Sequence, residues 1–174
     1  NVTPIGKPVL LGLDVSASMT SAMGDSNLSC AEGAAAMSLI TASVEKEYMI
    51  MGFDQGIREL RVSPRMRLDT VLKNTSNING GGTDCSLPMV WALKNKTRVV
   101  GFNVYTDSET WAGAIHPAQA LRAYRDAVEP EAKEVVIGMV SNGFSIADPN
   151  DKGMLDVVGF DTATPQIMSS FVIE

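Results

Sequence analysis

Short apolar runs that stop on an aspartate, with helix-length stretches between them, constrain this chain more than any other feature. "PVLLGLD", residues 8 to 14, is bounded by Pro8 and a polar loop, and "RVVGFNVYTD", residues 98 to 107, also ends in an acid. Runs of this length without polar alternation read as strands buried on both faces. "EYMIMGFD", 47 to 54, and "KEVVIGMV", 133 to 140, are two more. Between the first pair, "LSCAEGAAAMSLITASVE", 28 to 45, has helical length and good helix formers; Ala31, Ala34, Ala35 and Ala36 are small enough to pack closely on a sheet. Further helices are predicted over 67–76 and 86–96, and from Pro117, a residue tolerated in a first helical turn, through "AQALRAYRDAV". Asp54 to Gly56 reads as a tight turn into "IRELRVS", where Ile57, Leu60 and Val62 alternate with charges as in an antiparallel edge strand. The closing "SSFVIE" reads as a last strand.

Strands alternating with helices predict an α/β domain: a doubly wound, mostly parallel, Rossmann-like sheet with one antiparallel edge strand and helices on both faces. At 174 residues and 45% hydrophobic content the chain fills one such domain, residues 1–174, and its apolar ends give the expectation that it is excised from a longer protein. A formal charge of -6 opposes a sequence-independent grip on phosphate backbones, which needs clustered Lys and Arg. No apolar stretch reaches the roughly 18 to 20 residues that span a bilayer, and "NVTPIGKPVL" lacks the charged n-region and apolar run of a signal peptide. The chain is therefore expected to be soluble, with no membrane partner. Cys30 and Cys85 fall in different elements and are expected to be free thiols, which points to a reducing compartment.

Doubly wound sheets bind ligands at the carboxyl ends of their strands. Asp14 and Asp107 are both strand-final, and the loops add Ser16 and Ser18, Thr83 and Asp84 from "NGGGTD", Thr106 beside Asp107, and Asp54 from the hairpin. Carboxylates and hydroxyls without histidine or thiolate suit a hard cation, Mg2+, Mn2+ or Ca2+, and not zinc. Neutral hydroxyl ligands leave such an ion electrophilic and able to accept an external carboxylate in an open position. In an extended "DVSAS", alternate positions turn Ser16 and Ser18 toward the ion while Asp14 anchors it from the strand end.

"DVSAS", "GGTD" and "YTD", in that order, resemble the metal ion-dependent adhesion site of von Willebrand factor A domains. The resemblance implies Ser16, Ser18 and Thr83 as hydroxyl ligands, with Asp14 and Asp107 binding directly or through water, and Mg2+ as the first choice of ion. More closely, "GGTDCSLPM", "TDSETWAGAIHPAQALRAYR" and "SNGFSIADPNDKGMLDVVGFDT" resemble the C-terminal part of the Ro autoantigens, RNA-binding ribonucleoproteins of the TROVE family. In that family a ring of helical repeats precedes the A domain and binds Y RNAs and the single-stranded ends of misfolded small RNAs. This chain has no such repeats. The resemblance thus implies a non-enzymatic, divalent-cation-dependent interaction module that recruits an acidic side chain from a protein or domain. It would belong to a cytoplasmic particle, one also open to the nucleus, for small noncoding RNA quality control whose RNA contacts lie in the missing ring.

Other readings compete for the same residues. Asp84 is read as capping the following helix rather than as a ligand. The glycines at 80–82 are read as backbone clearance next to the cation, since the Gly-Lys-Ser/Thr of a P-loop is absent. "LGLDVSAS" also resembles the start of a haloacid dehalogenase-type phosphatase, so the rival is a Mg2+-dependent phosphohydrolase with Asp14 as nucleophile; Ser16 stands where its general acid belongs. A third reading is a structural domain with a stabilising cation. There is no G-x-S-x-G elbow, and His116, the one histidine, is placed at a loop end or helix start. "DPNDKG", 148 to 153, opens like an EF-hand, but Lys152 and Gly159 fill positions that need ligands, leaving a surface loop. Met19, Met23 and Trp111 lie on loops around the cation residues, either as an apolar collar for a protein partner or packed beneath the loops. Cys85 is read as a buried small residue.

Overall fold

The computed structural model describes residues 1–75, 82–107, 112–140 and 146–174. Its strands are β1 Val9–Asp14, β2 Tyr48–Phe53, β3 Ile57–Glu59, β4 Gly101–Thr106, β5 Lys133–Gly138 and β6 Met154–Val158. Its helices are α1 Cys30–Val44, α2 Leu68–Thr75, α3 Leu87–Lys94, α4 Pro117–Ala127 and α5 Thr164–Ile173, with a short 3-10 turn at Ala17–Thr20. The strands form one sheet in the order β3-β2-β1-β4-β5-β6, in which only β2 and β3 run antiparallel. This is the doubly wound sheet with one antiparallel edge that the alternation of elements implies.

Burial on both faces explains the near-continuous apolar strands. Leu11 and Leu13 of β1, Tyr105 of β4 and Ile137 of β5 face the α1 and α5 layer, together with Ala34, Met37 and Met168. Leu10, Met51 and Phe102 face the other way, onto Met89 of α3 and Leu121 and Tyr124 of α4. Tyr124 also fixes α4 to the approach of β4: its hydroxyl accepts from Val99 N at 2.6 Å and donates to Thr97 O at 2.7 Å. Its ring meets Phe102 edge-on, with centroids 4.9 Å apart.

Two parts of the C-terminal third differ from the sequence reading. "SSFVIE" belongs to α5, not to a strand: Met168, Ser169 and Val172 are buried while Ile167 and Ile173 are exposed, a helical period that six residues read alone do not reveal. The parallel edge is instead β6, whose "MLDVV" grades from a buried Met154 to an exposed Val158. At the opposite edge β3 is shorter than the alternation over 57–63 predicts, although Leu60 and Val62 remain buried.

Local sequence sets the geometry that matters for function. α1 begins with a capping box in which Glu32 N donates to Ser29 Oγ at 3.1 Å and Ser29 N donates to Glu32 Oε2 at 2.6 Å. Gly12 in β1 is required by close approach, because a Cβ there would stand 2.7 Å from Pro88 Cγ. The N-terminus of α3, and with it the loop carrying Thr83, is thereby drawn against the strand that ends in Asp14.

Candidate metal centre

β1 and β4 pair in parallel with Leu13 opposite Tyr105, so the two strands end side by side and deliver Asp14 and Asp107 to the same rim of the sheet. Asp14 is 2% exposed. Its Oδ1 accepts from Ser16 N at 2.9 Å and its Oδ2 accepts from Thr106 Oγ1 at 2.7 Å. Ser16 Oγ lies 3.0 Å from Ser18 Oγ, and Ser18 Oγ donates to Asp107 Oδ1 at 2.9 Å. Four of the five residues singled out from sequence thus form one connected line, running from the buried Asp14 and Ser16 to the exposed Ser18.

Thr83, the fifth, is buried on the neighbouring loop, where its carbonyl accepts from Ala112 N at 3.0 Å. Two residues on, the Cys85 thiol is hydrogen-bonded to Thr106 and feels the Asp14 carboxylate, which places the Thr83 loop beside the strand ends. Burial, first, and the Asp14 charge push the Cys85 thiol far above its ordinary range. Cys30, at the start of α1, is pushed up to about 11 by burial and by Asp107. Both cysteines are free and buried, and neither is poised as a thiolate.

The donors fit a hard cation. A hydroxyl has one proton and two lone pairs, so the bond from Ser18 to Asp107 spends the proton and leaves oxygen lone pairs on Ser18 for an ion. Each Asp14 oxygen accepts one bond and likewise keeps coordinating capacity. Burial pushes the Asp14 carboxyl above its usual range; bonds from Ser16 and Thr106 pull it down, and the Asp107 charge pushes it up again. No basic side chain is among the groups acting on Asp14. A buried acid beside a second acid, with no basic side chain acting on it among the described residues, is electrostatically incomplete in the way a divalent ion would correct. Among the described residues no group of three or more His, Cys, Asp or Glu side chains could hold a metal ion. Hydroxyls therefore have to supply much of any coordination here.

The remaining candidates have other employment. Asp54 Oδ1 accepts from Gly56 N at 2.8 Å and closes the β2–β3 turn. Asp84 Oδ1 accepts from Ser86 N and Ser86 Oγ, at 3.0 and 2.6 Å, in the turn that precedes α3; the N-cap itself is Ser86 and not Asp84. Gly82 is required by close approach, since a Cβ there would meet Ala112 Cβ at 2.6 Å; Gly80 and Gly81 lie outside the described residues. His116 is the N-cap of α4, its Nδ1 accepting from Ala118 N at 3.1 Å. The EF-hand-like loop is pinned to α4 by Arg122–Asp148 and Arg125–Asp151 ion pairs at 3.2 and 2.6 Å. Met19 and Met23, 1% and 7% exposed, pack beneath the loops in the core and form no collar; Trp111 lies outside the described residues. Sequence reasoning undervalued Thr106. Its place just before a strand-final aspartate is the signal, because that position points back at the end of the adjacent strand.

The sheet order and the acid-and-hydroxyl rim at the ends of β1 and β4 define a von Willebrand factor A-type domain. The chain belongs to the Ro60 vWA domain family, whose model matches residues 8–172. It is 45% identical over 99% of its length to the RNA-binding protein RO60 of Caenorhabditis elegans, and 43% identical over 98% to the RNA-binding protein RO60 of Deinococcus radiodurans. It spans only 27% and 33% of those two relatives. The crystal structure of the Deinococcus radiodurans RO (RSR) protein superposes with a TM-score of 0.91 at 43% identity, covering 99% of this chain and 35% of that one. At the level of fold alone, proximal thread matrix protein 1 from the mussel byssus, solved with a zinc-occupied MIDAS motif, has a TM-score of 0.63 at 13% identity; the match covers 99% of this chain and 48% of that one.

Proposed function

We propose that Asp14, Ser16, Ser18, Thr83 and Asp107 hold a divalent cation, Mg2+ before Mn2+ or Ca2+, and that the loaded site recruits an acidic side chain from another protein or domain. The observation that carries the reading is the hydrogen-bonded line from Thr106 and Asp14 through Ser16 and Ser18 to Asp107, joining residues far apart in sequence. The ion would supply an electrophilic centre with room for one more oxygen ligand. The chain's own part is to present hydroxyl lone pairs and to orient Asp14 through Thr106, while the ion's charge would offset the repulsion of Asp14 and Asp107 for an incoming carboxylate.

The role is one of binding rather than catalysis. The relatives are named as RNA-binding proteins, and Ser16 occupies the position where a phosphatase of the rival class needs an acid. Within a longer Ro-type protein the domain would be residues 1–174. RNA would be held by the helical ring, and this negatively charged segment would serve partner recruitment in the cytoplasm. Among the described residues no helix is long and apolar enough to cross a membrane. The test is calorimetric titration of the chain with Mg2+, Mn2+ and Ca2+, with and without acetate. Saturable heat with a divalent ion, and acetate binding that disappears with chelator, are expected. Absence of any ion binding sinks the proposal, and ion binding with no effect on acetate reduces the cation to a structural role.

A further inference from the structure

Four of the chain's seven arginines fall between residues 58 and 67: Arg58, Arg61, Arg65 and Arg67. All four are exposed, on the outer edge strand β3 and on the connection from it to α2. The other three are ion-paired within the fold, Arg98 with Glu129, Arg122 with Asp148 and Arg125 with Asp151. Along the edge the charges are less compensated. Arg61 and Arg65 have no ion-pair partner among the described residues, and Arg58 donates to a neutral acceptor, Asn74 O, at 2.9 Å. Arg67 meets Asp69 at 3.4 Å with both side chains mostly in water, a pair that another anion can exchange. Glu59 and Asp69 are the acids of the segment 58–69, so it carries a net +2 in a chain of -6, and the remaining residues carry -8. Lys46 and Glu47, which lead into the adjacent β2, cancel. The backbone behind the arginines is fixed: Leu60 N donates to Ile50 O at 2.7 Å, Tyr48 Oη to Val62 O at 2.9 Å, and Met66 N to Ser63 O at 3.0 Å in the turn that presents Arg65.

We infer that this arginine edge grips the phosphodiester backbone of duplex RNA without reading its sequence. The inference rests on the reading of the chain as part of an RNA-binding protein, which brings the RNA, and not on the cation site. The side chains set the class of ligand: guanidinium forks match phosphate oxygens two at a time and stay charged throughout the physiological pH range. The surroundings disfavour other occupants. A protein interface is built around a desolvated apolar or aromatic core. Here Leu60 and Val62 point inward, 5% and 7% exposed, and the exposed large apolar side chains of the described residues, Leu28, Ile40, Val158, Ile167 and Ile173, lie elsewhere. A single strand is held by stacking its bases on aromatic rings. No aromatic residue lies between 57 and 69, and Tyr48 beside them is half-buried with its hydroxyl engaged. A duplex keeps its bases stacked inside and offers phosphates and 2′-hydroxyls to a polar, rigid edge. The negative remainder of the chain repels the same backbone, so contact is confined to this edge, which reconciles local binding with an overall charge of -6.

The test is fluorescence anisotropy of the chain with a labelled RNA duplex of about 16 base pairs, in chelator so that the cation site plays no part, from about 50 to about 200 mM KCl. Binding is expected at the low-salt end, with log affinity falling against log salt at a slope of about -2 to -4. Arg61→Gln combined with Arg65→Gln should weaken it at least about fivefold and reduce the steepness of the slope by about 2. Arg61→Lys with Arg65→Lys, which keeps the charge, should stay within about threefold of the unmodified chain. Lys94→Gln with Lys96→Gln, an equal loss of charge on exposed residues outside the segment, is expected to change affinity by less than about twofold. Arg65→Gln alone, at the exposed turn, serves should the double variant fail to fold, with the slope reduced by about 1. No binding at the low-salt end, or equal weakening by the lysine pair, overturns the inference and leaves the cation site and the RNA held by the ring untouched. Single-stranded RNA, polyglutamate or phosphatidylserine vesicles captured by the same arginines as tightly as the duplex would assign them another occupant and also overturn it.

Discussion

Thr106 Oγ1 donates to Asp14 Oδ2 at 2.7 Å, tying together the ends of two adjacent parallel strands that lie 92 residues apart in the chain. The bond fixes which way the buried carboxylate faces. Asp14 Oδ1 is held at the same time by Ser16 N, so the carboxylate is oriented from both sides before any ion arrives. Removing the Thr106 hydroxyl should therefore cost cation affinity through Asp14, while also taking away the bond that the same hydroxyl makes with the Cys85 thiol. In Thr106→Val the fold is expected to persist and Mg2+ affinity to fall by about tenfold, the low end of what loss of a group orienting a metal ligand does. Calorimetry reads the affinity, and unchanged binding would show that Asp14 does not depend on this bond.

Asp14 itself should show a conflict between stability and function. Burial and Asp107 disfavour its charge, so the ionised acid destabilises the metal-free fold at neutral pH. Asp14→Asn removes the charge; its amide oxygen can still accept from Ser16 N, and its amide nitrogen can donate to the Thr106 hydroxyl. It is expected to raise the melting temperature in chelator and to abolish the stabilisation that Mg2+ gives the unmodified chain. A lower melting temperature in chelator would show that the charge is compensated in the folded state.

Ser18 separates site from scaffold most cleanly. It is exposed, and its hydroxyl bonds to Asp107 and Ser16. Ser18→Ala should change unfolding free energy by no more than about 0.5 kcal/mol, as is usual for surface positions, while weakening Mg2+ binding severalfold. A large loss of stability in urea titration would assign the serine a structural role instead.

The thiols offer an independent check on the packing around the rim. Cys30 and Cys85 are buried and held as thiols, so neither should react with iodoacetamide in the native chain, and both should react in denaturant. Mass spectrometry of the alkylated chain counts the modified residues. Rapid labelling of Cys85 without denaturant would mean that the Thr83 loop opens away from the strand ends.

Much of this arrangement was legible in the sequence because it resides in strand termini. β1 and β4 are buried through to their polar last residues, Asp14 and Thr106, and the alternation "DVSAS" marks Ser16 and Ser18 without any tertiary knowledge. What escaped depends on contacts that sequence spacing does not encode. Met19 and Met23 sit in a polar loop, yet they turn inward and join the buried cluster with Cys30, Ala34 and Met139. β6 was missed because its burial is graded and its centre is an acid, Asp156, which denies it the unbroken apolar run of an interior strand. Asp156 is employed: its carboxylate accepts from Ala147 N at 3.1 and 3.2 Å.

Glu134, on β5 beside that edge, gives the chain a pH dependence no motif announces. It is fully buried, and neither carboxyl oxygen has a hydrogen-bond partner among the described residues. Burial first, then the Asp156 charge, push the carboxyl up from 4.5 to about 8, with Arg125 pulling it down and Asp151 adding a smaller push upward. Between those values the folded chain keeps a proton that the unfolded chain has released. The stability that Glu134 contributes is therefore fully present below about pH 4.5 and is lost as pH rises through 8. The slope is about 1.4 kcal/mol per pH unit, and the loss from pH 5 to pH 8 is on the order of 3 kcal/mol. Glu134→Met, similar in volume and without charge, is expected to flatten this slope and to raise stability at pH 8 by a comparable amount. Urea midpoints at pH 5, 6, 7 and 8 for both chains measure it, and an unmodified chain equally stable across that range would mean that Glu134 ionises without cost.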